Sequence, residues 1–193
     1  FVAFVSRATD LVAPGLDTNG SLDVFVRDLQ SGTTTLVSVN DTGTASGNGD
    51  SHFPVLSADG RFVAFTSVAG DLVPPGLDTN ANTDVYVRDL QGGTTALVSV
   101  DNTGTASGNG DSLFPVLSAD GRFVAFTSVA NDLVAPRLDR NSDSDVYVRD
   151  LQSGTTTLVS VSGIGTASGS GDAPVLSADG RFVAFTSAAS DLV

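Results

Sequence analysis

Cysteine, methionine, tryptophan, glutamate and lysine are all missing from this chain of 193 residues, so its 22 acidic side chains are all Asp and its 9 basic ones all Arg. Without cysteine there are no disulfides, zinc–thiolate sites or cysteine nucleophiles. A chain with no methionine reads as a processed or excerpted piece of a longer protein, and its lack of a signal peptide then says nothing about export. No apolar run approaches the roughly 18 to 20 residues of a membrane-crossing helix, so membrane insertion is not expected. The formal net charge of −13 leaves no basic footprint for phosphates or anionic lipid, which argues against nucleic-acid binding. Cations are the natural partners of such a surface.

What is present favours strands. The chain is 40% apolar with 21 Gly; Val, Phe and Thr are prominent, and several strong helix formers are absent. The string SADGRFVAFTS occurs at 57–67, 118–128 and 177–187, and FVAFVS at 1–6 is the same segment cut short. Phe1, Phe62 and Phe123 stand 61 residues apart, and Phe182 follows after 59. Self-similarity at a fixed period marks a repeat architecture. The repeats divide the segment 1–193 into a partial unit 1–52, two full units 53–113 and 114–173, and a partial unit 174–193.

Each full unit reads as four strands. In the first they are Phe53–Ser57, Arg61–Ser67, Asp84–Leu90 and Thr94–Val100, with turn signals at Ala58-Asp59-Gly60 and Gln91-Gly92-Gly93. In RFVAFTS, Phe62 and Ala64 fall on one side and Val63 and Phe65 on the other, the pattern of a strand buried on both faces. Four antiparallel strands per unit, covered on both faces, describe the blades of a β-propeller. A β-solenoid is the rival reading, but its coils are shorter and pair between repeats. The expected fold is therefore all-β, a β-propeller of four-stranded antiparallel blades. Three 61-residue repeats are too few for a ring, which predicts part of a larger propeller or a self-assembling piece.

The segments P-V-L-S-A-D-G-R-F-V-A-F and D-V-Y-V-R-D-L-Q-x-G-T-T resemble the TolB-like β-propeller repeat, a relative of the WD-repeat families, over essentially the whole chain. The resemblance implies the fold and is weak for function, since similar propellers serve as periplasmic scaffolds, peptidase gates and surface proteins. Two features depart from the family: the strand before S-A-D-G lacks an aromatic often found there, and the loop after the second strand is long.

That loop carries the sharpest motif. Asp17, Asn19, Ser21 and Asp23 recur as Asp78, Asn80, Asn82 and Asp84, and again as Asp139, Asn141, Asp143 and Asp145. Oxygen-bearing side chains at positions 1, 3, 5 and 7 let a curling loop aim them at one centre, and Ca²⁺ takes six to eight oxygens. The pattern resembles the first half of an EF-hand loop, but Leu22, Thr83 and Ser144 replace its glycine and no bidentate Glu follows. Asp10, Asp71 and Asp132, seven residues upstream, are candidate further ligands. The competing reading is plain turn chemistry of Asp and Asn, which explains poorly why carboxylates recur at both ends. In a meander this loop and the linker after the fourth strand leave the same end of the blade, which assigns 16 of the 22 Asp to one face.

Other motifs read as structural. Asp28, Asp89 and Asp150 are expected in pairs between strands or blades, and Asp59, Asp120 and Asp179 in turns. The Gly-rich stretches 42–50 and 103–111 read as flexible linkers. The singular polar residues His52, Arg7, Arg137 and Arg140 supply no nucleophile–base–orienter set, so no enzyme is expected. The sequence thus predicts a non-catalytic, calcium-braced propeller segment, a structural or interaction module of an extracellular, cell-surface or periplasmic protein, with protein partners or self-association. The alternative is a propeller that gates or presents substrate to a hydrolase domain outside this segment.

Overall fold

The computed structural model describes residues 1–141, 143–163, 165 and 171–192. The sequence-assigned units 114–173 and 174–193 therefore include a few positions outside the described residues. Among those described there is no helix, and 13 strands form four sheets. The first holds β1 (Val2–Ser6), β2 (Asp23–Arg27) and β3 (Thr34–Leu36). The second holds β4 (Ser51–Leu56), β5 (Phe62–Ser67), β6 (Asp84–Asp89) and β7 (Thr94–Leu97), and the third β8 (Ser112–Leu117), β9 (Phe123–Ser128), β10 (Asp145–Asp150) and β11 (Thr155–Leu158). The last pairs β12 (Gly171–Leu176) with β13 (Val183–Ser187). Sequence neighbours pair antiparallel throughout, so each sheet is a meander.

β5 and β6 pair without a slip from Phe62↔Asp89 to Ser67↔Asp84. The first strand of a blade is less regular. Expected at Phe53–Ser57, it runs from Ser51 to Leu56, with its register against β5 shifting between His52 and Val55. Pro54 has no N–H to give the ladder, and an inserted residue resolves the conflict as a bulge. Phe53 takes up the bend at φ +51°, and Phe114 and Ala173 do so in the later repeats at +53° and +50°.

The two-faced pattern of RFVAFTS now has its explanation: each face feeds a different interface between sheets. Val63 and Phe65, with Tyr86 and Leu97, pack against Val24, Val26 and Val37 of the first sheet. Ala64 on the opposite face joins Val85, Val87 and Val98 against Val124, Phe126 and Tyr147 of the third. Most of these side chains are fully buried. The turns add a lock. Ala58 N–H donates to Ala119 O at 2.9 Å and Ala119 N–H to Ala178 O at 2.8 Å, linking successive S-A-D-G turns. At Gly121, with φ +73°, a Cβ would stand 2.3 Å from the Phe62 ring of the preceding blade, so only glycine admits that contact.

Two complete four-stranded sheets flanked by a three- and a two-stranded one make a partial β-propeller, since closed propellers have four to eight blades. The Gly-rich linkers are not loose as expected. Gly47 sits where a Cβ would meet the Leu72 side chain at 2.5 Å, and Asn48 N–H is held by Asp71 at 2.9 Å.

Candidate metal centre

The meander brings the long loop and the linker after the fourth strand to one end of each blade, and hydrogen bonds knit them together. In the second blade Ser107 N–H donates to Leu77 O at 2.8 Å and Thr83 N–H to Asp111 Oδ1 at 2.8 Å. The first blade repeats this with Ser46, Leu16, Leu22 and Asp50. These two loops are thereby shaped around their D-x-N-x-x-x-D motifs.

The four motif positions divide into two kinds. Position 3 shapes the loop: the Asn19 and Asn80 amides donate to Gly47 O and Gly108 O at 2.6 Å. Their side-chain oxygens accept the N–H of Ser21 and Asn82 at 2.7 and 2.8 Å, and Asn141 accepts from Asp143 at 3.2 Å. This is the turn chemistry of Asn. Position 5, held by Ser21, Asn82 and Asp143, is at least partly exposed. Ser142, beside it in the third motif, lies outside the described residues.

Positions 1 and 7 are buried carboxylates. Asp23, Asp84 and Asp145 open β2, β6 and β10 at 0% exposure, while Asp17 and Asp139 are 5% and 6% exposed and Asp78 is partly buried. A serine on the segment after the fourth strand holds one oxygen of position 7. Ser38 Oγ donates to Asp23 Oδ1 and Ser99 Oγ to Asp84 Oδ1 at 2.5 Å, and Ser160 does the same for Asp145. In two repeats a tyrosine of the third strand holds one oxygen of position 1. Tyr86 OH donates to Asp78 Oδ2 at 2.5 Å, and Tyr147 OH to Asp139 Oδ2.

The remaining oxygens have no partner. Buried and unsatisfied are both oxygens of Asp17, Oδ2 of Asp23, Oδ1 of Asp78, Oδ2 of Asp84, Oδ1 of Asp139 and Oδ2 of Asp145. Every repeat thus leaves at least one orphaned oxygen at position 1 and one at position 7. Ionised, such groups are costly unless something positive compensates them. Burial pushes the Asp84 carboxyl up to about 7, with the Ser99 hydroxyl and the nearby Asn80 amide opposing the rise and the Asp78 and Asp111 charges adding to it. Burial likewise raises Asp23 and Asp145 to about 6, against their serine bonds.

Two inward carboxylates with free oxygens at opposite ends of one loop are suited to a hard cation. Among the described residues, no three His, Cys, Asp or Glu side chains gather closely enough to hold a metal by themselves. The balance of a shell would come from backbone carbonyls and water. The upstream carboxylates serve the linker instead: Asp71 and Asp132 accept the N–H of Asn48 and Asn109 at 2.9 and 3.0 Å, and Asp10 is exposed. The carboxylates that the fold does bring near position 7 are Asp50 and Asp111, from the linkers. Their one sequence signal is the terminal Asp of T-G-T-A-S-G-N-G-D.

Elsewhere the acidic residues are structural. Asp89 grips Arg61 through two bonds of 3.0 and 2.6 Å, and Asp150 grips Arg122 in the same way. Asp59 accepts Ser57 Oγ and Arg61 N–H within its turn.

No family model and no curated protein sequence matches the chain. Solved structures do. TolB from Acinetobacter baumannii superposes with a TM-score of 0.52 at 23% identity, over 88% of this chain and 33% of that one. A putative TolB from Agrobacterium tumefaciens gives 0.46 at 18%, over 88% and 52%. The β-propeller domain of the Trilobed protease from Pyrococcus furiosus gives 0.42 at 11%, over 70% and 32%. The chain spans about a third to half the length of these proteins. Its fold is a TolB-like β-propeller repeat fold.

Proposed function

We propose that this chain is a calcium-binding, non-catalytic propeller module, in which one cation per repeat ties the long loop to the end of the blade. The single observation that carries the reading is the orphaned pair of buried carboxylate oxygens, repeated at positions 1 and 7 of all three motifs. A turn needs no such pair; a cation does. The hydrogen bonds at position 3 favour the same reading, because they bend the loop while positions 1 and 7 keep oxygens free.

The ligand set names the cation class. Carboxylates with carbonyl and water oxygens suit Ca²⁺, and sites with two carboxylates and no bidentate Glu belong to the weak range of roughly 10⁻⁴ to 10⁻³ M typical of extracellular modules. Such a site fills where calcium is millimolar, which supports a secreted, cell-surface or periplasmic setting. The braced, strongly acidic face would serve protein partners or further copies of the chain. The reading assigns no catalytic step: His52 lies on β4, Arg7 in the loop after β1, and Arg137 and Arg140 in the loop after β9.

Thermal unfolding in chelator, in millimolar Ca²⁺ and in millimolar Mg²⁺ tests the reading. A rise of several degrees specific to Ca²⁺, reduced by Asp78→Ala with Asp84→Ala, is expected. Identical melting in all three conditions would reduce the motifs to turns.

A further inference from the structure

Beside side-chain changes within the loop, such as Ser21, Asn82 and the exposed Asp143 at position 5, the three sites differ in the aromatic set against position 1. Tyr86 and Tyr147 each hold Oδ2 of their position-1 carboxylate and leave Oδ1 free. In the first repeat this aromatic is Phe25, and Asp17 keeps both oxygens unpartnered at 5% exposure. The rings are otherwise placed alike. Phe25 stacks on Phe4 at 5.7 Å and 22°, and Tyr86 on Phe65 at 5.8 Å and 25°. All three aromatics are fully buried. The hydroxyl is therefore the difference that reaches the carboxylate.

We infer that the cation sites form two classes: a first-repeat site that Asp17 grips through both oxygens, binding more tightly, and two tyrosine-restrained sites gripped through one. The inference rests on the calcium reading above. Before binding, the first site holds three orphaned oxygens against two in each of the others, so it gains more from a cation. It also supplies one more ligand to a shell built largely of neutral groups. The tyrosine hydroxyl, by contrast, occupies an oxygen that would otherwise reach the metal. Ligand count and charge tune Ca²⁺ sites over several decades, and the extra oxygen is expected to give about 10-fold; were the tyrosines orienting partners instead, their loss would weaken binding by roughly 10- to 100-fold.

Calorimetric titration of Ca²⁺ into the metal-free chain should resolve one site about 10-fold tighter than two others. Phe25→Tyr should weaken that site into the class of the other two, and Tyr86→Phe with Tyr147→Phe should tighten those two. A second measurement needs no variant. Terbium excited through tyrosine should emit only from the second and third sites, so emission should lag by about one bound equivalent as the dark site fills first. Three equal sites, exchanges without effect, or emission rising from the first equivalent would overturn the two-class assignment while leaving calcium binding intact. No uptake of either metal by any of these proteins would remove both readings together.

Discussion

Replacing Asp84 by Asn should stabilise the chain, and by less in calcium than in chelator. Asp84 is fully buried, with one oxygen on Ser99 Oγ and the other unpartnered, and burial raises its carboxyl from 3.8 to about 7. For an acid raised in this way, the metal-free fold is most stable below about pH 4 and loses stability as pH climbs through 7, because the unfolded chain gives up its proton first. At about 1.4 kcal/mol per pKa unit, the penalty at pH 7.5 reaches about 4 kcal/mol as an upper bound, since the Asn amide must also find partners. The substitution should thus raise the melting temperature in chelator by several degrees, at about 2 to 4 °C per kcal/mol for a chain of this size. In calcium that gain shrinks. A site with Kd near 10⁻⁴ M in 1 mM Ca²⁺ contributes about 1.4 kcal/mol, and Asp84→Asn forfeits one of three such contributions. Differential scanning calorimetry of both proteins in both buffers measures all four values. A variant that melts lower in chelator and keeps the full calcium response would refute the reasoning, because Asp84 would then be a satisfied structural acid.

Three further outcomes follow from the same geometry. The calcium-induced rise in melting temperature should grow between pH 5 and pH 7.5, since protons compete for the carboxyls of Asp23, Asp84 and Asp145, raised to about 6 or 7; a rise that is flat with pH would contradict this. Gly121→Ala should destabilise by about 2 to 4 kcal/mol in urea titrations, because it combines a positive φ with a clash against Phe62, while Gly76→Ala, at φ +91° in open space, should lose only about 1. The Arg61 guanidinium and the Gly92 and Gln91 amides hold the Asp89 carboxyl well below the usual range, so its contribution is complete above about pH 4 and is lost as pH falls further. Solvent screens this pair, with Arg61 43% exposed, so Asp89→Asn should flatten the acid limb of the stability curve between pH 4 and pH 2 only slightly.

The repeat made the fold legible, and the reason is physical. A two-faced apolar strand such as Arg61–Ser67 has no use in a single-sided sheet, and its Phe65 and Ala64 faces do feed separate interfaces. Turn residues at S-A-D-G placed the hairpins. The bulge at Phe53 was not legible, because the conflict between Pro54 and the ladder has several solutions and tertiary packing selects one. The linkers misled for a related reason: glycine signals freedom in a chain, whereas Gly47 and Gly49 are closely packed, with a Cβ at Gly47 meeting the Leu72 side chain at 2.5 Å and one at Gly49 meeting Ala69 N at 3.1 Å. At the candidate site, spacing identified the motif but not the division of labour within it. Asn19 and Asn80 are committed to the backbone, and the neighbouring carboxylates Asp50 and Asp111 arrive from a linker 27 residues beyond the last Asp of each motif. That partnership is set by the blade closing on itself.

Counting bound calcium tests the central claim most directly. Equilibrium dialysis of the metal-stripped chain against 1 to 5 mM Ca²⁺ in a large excess of monovalent salt, with Mg²⁺ in parallel, should give about three ions per chain and far fewer of magnesium, on the usual selectivity of irregular oxygen shells. A calcium content indistinguishable from the dialysis buffer would contradict the account and leave seven buried carboxylate oxygens without a purpose.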